Sequence, residues 1–189
     1  MPEIRFTTEE ELRAAAVGEL RPLSRPIVIA PYDPNWPRAF ERESAKIRSA
    51  LGQHVLELHH AGSTAVPGLA AKPIIDIVLV VESSADENTY VPALEDVGYV
   101  LRIREPEWFA HRMLRGTDPE VNLHVFSKGC DEIVRMLAFR DHLRADDADR
   151  ELYERTKRDL ASREWKFGQH YADAKSAVVA EIMARATAT

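Results

Sequence analysis

Apolar residues recur along this chain with two different periods, and the switches between them mark its elements. Ala39, Phe40, Ile47 and Leu51 have the spacing of a buried helical stripe, which predicts a helix from about Trp36 to Leu51 with Gly52 as its stop. "HVLELHH" alternates instead, so Leu56, Leu58 and His60 fall on one side of a strand and Val55, Glu57 and His59 on the other. "PIIDIVLVV" is apolar in both registers, as a strand covered on both faces should be. A helix from about Glu87 to Val97 ends at Gly98, and the stretches "YVLRI", "WFAHRMLRG" and "VNLHVFS" read as strands, the last two joined by the turn-forming "GTDPE". The remainder reads as helical, from about Glu132 to Arg144, Asp147 to Glu164 and Tyr171 to Arg185.

The amino-terminal stretch adds two pieces. Thr7 or Thr8, with Glu10 or Glu11 three residues later, caps a helix of about three turns in "EEELRAAAVGEL", and the proline-punctuated "LRPLSRP" follows as a linker. A short strand is expected at Ile27 to Ala30. The organisation predicted is a helical appendage over residues 1–24 and one domain over residues 25–189. Mixed strands and helices followed by a helical carboxy-terminal segment predict an α+β fold, a mixed sheet with helices packed on it.

Composition narrows the partners. A chain of 189 residues can bury one good core, and its net charge of −6 gives no basic field of the kind that binds nucleic acid tightly. Cys130 is the single cysteine, which excludes an internal disulfide and any multi-cysteine zinc site. The opening residues lack the apolar core of a signal peptide and the longest apolar run is far too short to cross a bilayer, so the expectation is a cytoplasmic protein without a membrane partner.

One carboxylate breaks the two-sided apolar strand. Asp76, buried without a partner, would cost several kcal/mol, so it must face either a basic group or a cleft holding a cation. Just upstream, Gly62, Ser63 and Thr64 follow a strand directly and Lys72 precedes the next one, which suits a loop that contacts phosphate and equally a connection whose hydroxyls serve its own turn. Neither a Walker A nor a GxGxxG pattern is present.

"GS", twelve residues and then "DIV" on an apolar strand resembles the signature of the DNA polymerase beta-like nucleotidyltransferase superfamily. More closely, "PYDPNWPRAFERE", "HHAGSTAVPGLAAKPIIDI", "NLHVF", "FRDHLR" and "YADAKSAVV", in that order from about Ile27 to the last helix, resemble the GrpB family, nucleotidyltransferase-like proteins of which some are fused to dephospho-CoA kinase. The resemblance implies a nucleotidyltransferase-like fold, a Gly-Ser pair on nucleotide phosphate, and a divalent metal, Mg²⁺ or Mn²⁺, on acids of the following strand. Here Val78 stands where the second acid usually is, and "VNLHVF" offers Asn122 and His124 where a third is expected. Two metal ions need several carboxylates, so the site either binds one metal through Asp76 with imidazole help or binds phosphate without the usual transfer chemistry.

The expected metal ligands are Asp76, His60 and His124, a donor set that also suits Zn²⁺, with Asp76 and His124 as catalytic residues. His60 equally suits a hydrogen-bonded core position. Positive charge for a nucleoside triphosphate is expected from Lys72, from Arg112 and Arg115 on the following hairpin, from Arg140 and Arg144 at i and i+4, and from Lys175 in the matched "YADAKSAVV". "FRDHLR" ranks above "KRDLASRE" because only the former belongs to the pattern. Trp108, Phe109 and Tyr171 suit core positions or stacking on a base. The function expected is nucleotidyl or phosphoryl transfer to a small acceptor; the alternative is a non-catalytic nucleotide-binding module or folding partner.

Overall fold

The structure, a computed structural model, describes residues 4–187. Helix α1 (Glu9–Ala15) opens on a Thr8–Glu11 capping box, as its sequence demands, but is two turns long because the chain is drawn onto a sheet edge at Ala16. Helix α2 (Trp36–Leu51) stops at Gly52, which takes φ 52°. Strands β1 (Glu57–Ala61) and β2 (Ile75–Val81) follow, then helix α3 (Val91–Asp96), whose expected first turn is a separate 3-10 turn at Glu87–Thr89. Strands β3 (Val100–Glu105), β4 (His111–Thr117) and β5 (Glu120–Ser127) precede helices α4 (Asp131–Ala145), α5 (Asp147–Ala161), α6 (Gly168–Ala174) and α7 (Ser176–Ala186). The single helix expected over 171–185 is therefore two, meeting at Lys175. The strand expected at Ile27 to Ala30 is reduced to one bridge, Ala30 to Ala71.

The five strands form one mixed sheet in the order β1-β2-β5-β4-β3, with β2 and β5 parallel and the other neighbours antiparallel. The fold is α+β, as the element order requires. Ile75, Ile77, Leu79 and Val81 of β2 join Leu123 and Val125 of β5 in a core closed by Trp36, Ala39, Ile47 and Leu51 of α2 and Leu94 of α3. On the reverse face, Val78, Val80, Ala61 and Phe126 pack under Ile133 of α4. Asp76 shares that reverse face, so the site is built between the sheet and the carboxy-terminal helices.

The amino-terminal segment is tied down at both ends. Val17 N–H donates to Arg102 O at 2.9 Å on the edge strand β3, Thr7 N–H donates to Asp173 Oδ2 at 2.8 Å, and Leu23 N–H donates to Lys166 O at 2.9 Å. Among the described residues no helix is long and apolar enough to cross a membrane.

Candidate functional site

The loop between β1 and β2 is shaped by its own backbone. Gly62 takes φ 65° and ψ −170°, a conformation open to glycine alone, and starts the 3-10 turn Ser63–Ala65 directly against the Asp76 side chain of β2. Val66 and Leu69 then anchor the loop among Leu143, Tyr153, Val178 and Ile182, which come from α4, α5 and α7. Arg140 Nη1 donates to His60 O at 2.9 Å, and Arg144 donates to Ala65 O through Nε at 3.0 Å and Nη2 at 2.7 Å, while both also bond Asp141. These two arginines brace the loop; their donors are committed to carbonyls and a carboxylate rather than turned to a ligand.

Other expected site residues part company. His60 pairs with Ile77, not with Asp76, so strand alternation sends its ring to the α2 face, where it stacks on Phe40 at 4.8 Å and 6° and lies 3.0 Å from Thr64 Oγ1. Burial lowers its pKa to about 4, and the imidazole is neutral. The expected His60, Asp76 and His124 triad therefore does not assemble, and the Thr64 hydroxyl, buried against His60, is spent inside the fold. Arg112 also lies on the opposite face of the sheet. It is buried there, its Nε donating to Glu87 Oε1 at 2.5 Å, because its partner Val125 belongs to the α2 side. Arg115 is the hairpin arginine on the Asp76 face; it donates to Asn122 Oδ1 at 2.5 Å, and Asn122 Nδ2 in turn donates to Asp76 Oδ1 at 2.8 Å.

Around Asp76 the structure gathers lysines. Lys72 and Lys175 lie over the Tyr171 ring, 5.7 and 4.8 Å from its centroid, and Lys157 lies 4.9 Å from that of Tyr153. Lys157 is 3% exposed and donates to Ala70 O at 2.5 Å and to Ser63 Oγ at 3.0 Å. Among the described residues none of the three forms an ion pair. Burial is the main force lowering all three lysine pKa values, with Lys175 adding repulsion at Lys72 and Lys157, and Lys157 falls to about 7. Burial pushes the Asp76 carboxyl up, but His124, Asn122 and Lys175 outweigh it and hold the group below its ordinary value. Lys72 and Lys175, without an ion-pair partner among the described residues, together with the Lys157 amine, one hydroxyl and one carboxylate, make a cluster that attracts anions.

A chain of hydrogen bonds that the sequence did not reveal runs across the same face. His111 Nδ1 lies 2.7 Å from Glu105 Oε2, His111 Nε2 lies 3.0 Å from His124 Nδ1, and His124 Nε2 lies 3.8 Å from Asp76 Oδ1. A carboxylate only accepts, so His111 donates through Nδ1 and accepts at Nε2 from His124 Nδ1–H; His124 Nε2 faces Asp76, as a lone pair in the neutral ring and as the donor that lowers the Asp76 pKa in the protonated one. Trp108, whose ring centroid is 5.1 Å from that of His111, covers the chain at the sheet edge. Long-range ¹⁵N–¹H correlation spectra at pH 8 are expected to show His124 as the Nδ1–H tautomer, and Glu105→Ala should bring in the other tautomer; a mixture in the wild type would break this assignment.

Elsewhere, one grouping among the described residues places three metal-type donors within mutual reach, His142, Asp146 and Asp149. Asp149 is already paired with Arg185, at 2.9 and 2.5 Å, with His142 Nε2 2.7 Å away, and it serves as a structural ion pair. A surface concavity of about 350 Å³ at the far end of β2 is lined by Glu82, Asp86 and His54, with no lysine or arginine in its lining.

Residues 26–185 match the family model described as GrpB protein. A UPF0157 protein of Halalkalibacterium halodurans is 62% identical over 182 residues, 96% of this chain and 93% of its own, and one of Streptomyces coelicolor is 45% identical over 162 residues, covering 86% and 85%. The crystal structure of a conserved GrpB protein from Enterococcus faecalis aligns with a TM-score of 0.72 at 32% identity, over 84% of this chain and 96% of that one.

Proposed function

The chain belongs to the GrpB family, and from that premise and the chemistry of its cleft we propose that it is a nucleotidyltransferase-like enzyme. The cleft binds the phosphates of a nucleoside triphosphate and passes a nucleotidyl or phosphoryl group to a small acceptor. One observation carries this reading: Lys72, Lys157 and Lys175, none with a carboxylate partner, converge with Ser63 on Asp76. A polyphosphate would supply the negative charge that the half-buried ammonium groups of Lys72 and Lys175 lack, and the same two groups would neutralise charge developing on its leaving oxygens.

A divalent metal fits this donor set as one ion at most. Asp76 and His124 would hold it, the mixed oxygen and nitrogen donors suiting Mn²⁺ or Zn²⁺ better than Mg²⁺, and a two-ion clamp has no ligands here because His60 faces away. Such an ion would polarise a phosphoryl oxygen when bound. Asn122 occupying one oxygen of Asp76 favours a second reading, a module that binds nucleotide without turning it over.

Calorimetry with ATP, CTP, GTP and UTP, each with and without Mn²⁺ or Mg²⁺, separates the two. Binding strengthened by the metal and made metal-independent in Asp76→Asn is expected of the enzyme; metal-independent binding in both proteins is expected of the module. Lys175→Met should weaken binding by about 10- to 100-fold, the loss of one charge-assisted contact. Absence of binding to all four nucleotides would sink both readings.

A further inference from the structure

We propose that Ser63 and Lys157 form a nucleophilic dyad, in which the Ser63 hydroxyl attacks the donor, its proton passes to the Lys157 amine, and the transferred group is carried transiently as an ester of Ser63. The inference deepens the proposed function and rests on it only for the identity of the natural donor.

The geometry is that of a nucleophile and its base. Lys157 Nζ lies 3.0 Å from Ser63 Oγ, and the amine is aimed by its second bond, to Ala70 O at 2.5 Å. In the neutral amine one N–H satisfies that carbonyl and the lone pair faces the Ser63 hydroxyl. Lys157 is buried and has no carboxylate to hold its proton, whereas Ser63 is half-buried at the head of a 3-10 turn that opens on the cleft. The groups facing the amine from the surrounding elements are Tyr153, Glu154 and Arg158 on α5, Asp76 on β2, and Lys175 at the α6–α7 junction. Burial, with repulsion from Lys175, already holds the amine near the point where it can take a proton at neutral pH.

The dyad also answers the shortage of acids. A direct in-line transfer clamped by two ions needs carboxylates that β2 and β5 do not supply, whereas a double displacement needs a nucleophile, a base and cations. In the first step the Oγ–P bond forms, the bond from phosphorus to the leaving oxygen breaks with its electron pair, and the Ser63 proton moves to Nζ; Lys72 and Lys175 face the anion that departs. In the second step the acceptor's oxygen or nitrogen attacks the ester phosphorus, its own proton going to solvent. Oγ leaves with the bonding pair and recovers the proton from the Lys157 ammonium, which restores both residues.

The test uses the full chain and a fluorophosphonate, whose P–F bond breaks as the Oγ–P bond forms, with no nucleotide or metal present. Intact-mass and peptide mass spectrometry are expected to find one adduct, on Ser63. It should be absent from Ser63→Ala and form at least about 100-fold more slowly in Lys157→Arg, which keeps the charge and length but cannot accept a proton. Circular dichroism and a thermal melt establish that the variants are folded, and Lys157→Met serves as the second base-less form. An unlabelled wild type, or Lys157→Arg labelled as fast as the wild type, overturns the dyad. An adduct in a protein that binds no nucleotide in calorimetry supports the dyad and removes the proposed donor; nucleotide binding without an adduct does the reverse.

Discussion

Replacing Gly62 with alanine is expected to lower the melting temperature by roughly 10 °C and to abolish ligand binding in the cleft, an effect of about 3–5 kcal/mol in a chain of this size. Two costs add. The backbone at φ 65° and ψ −170° is strained for any residue with a Cβ, by about 1–3 kcal/mol. The new Cβ would also collide with Asp76 Oδ2 and stand 3.0 Å from the Asp76 Cβ and Cγ, so either the loop or β2 must shift. β2 is the poorer candidate for movement, since it is central in the sheet and packed on both sides. Thermal melts of Gly62→Ala alone and combined with Asp76→Ala test the account: the double variant should lose less than the sum of the singles, because the carboxylate clash is gone and the backbone strain remains. Strict additivity would refute a steric origin.

The second large effect is on stability against pH. Lys157 ionises near 10.5 when unfolded and at about 7 in the fold, so between those values the unfolded chain binds the extra proton. Stability therefore rises with pH through this window, the desolvation penalty being fully present below about pH 7 and relieved toward pH 10. The depression corresponds to roughly 3–5 kcal/mol, and Lys72 and Lys175, whose pKa values are lowered by burial too, act in the same direction. Tyrosines bring the opposite trend above pH 10. Burial raises Tyr90, Tyr99 and Tyr171 and pushes Tyr153 up to about 12, so the fold keeps protons that the unfolded chain releases. Urea unfolding from pH 6 to 10 should show a clear rise in the wild type and a much flatter line in Lys157→Met, the variant being at least as stable at pH 6 and less stable at pH 9.5. Parallel curves for the two proteins would remove Lys157 as the cause.

Helices α2 and α5 were legible in the sequence because each carries a clear helical period, and Asp76 because a carboxylate in a two-sided apolar strand has few cheap environments. The assignment of faces was not. Alternation puts His60 on one side of β1 with Leu58, and β2 is apolar in both registers, so neither pattern says whether His60 and Asp76 share a face; only the register of β1 on β2 decides it. Arg140 and Arg144 were found on one helical stripe, yet spacing does not tell whether a guanidinium meets a ligand or a loop carbonyl. Lys157 was passed over in "KRDLASRE", although a signal was there: with Tyr153 and Leu160 it keeps the four-then-three spacing of the buried face of α5, an unusual place for a lysine. The His111 and His124 contact needed the β4 and β5 register, which no single-strand pattern contains.

Lys72, Lys157 and Lys175 also determine how a ligand finds the site. The whole molecule carries a net charge of −6, so at distances beyond the screening length of about 8 Å an approaching polyanion meets repulsion. Within that length the three lysines beside Asp76 set the local charge. On the proposed function, a small phosphate compound would be drawn in at that range, whereas a long polyanion would extend its charge beyond the lysines against the net negative charge of the protein. Charge distribution alone thus sorts encounters by the size of the anion, ahead of any contact that recognises a base or an acceptor.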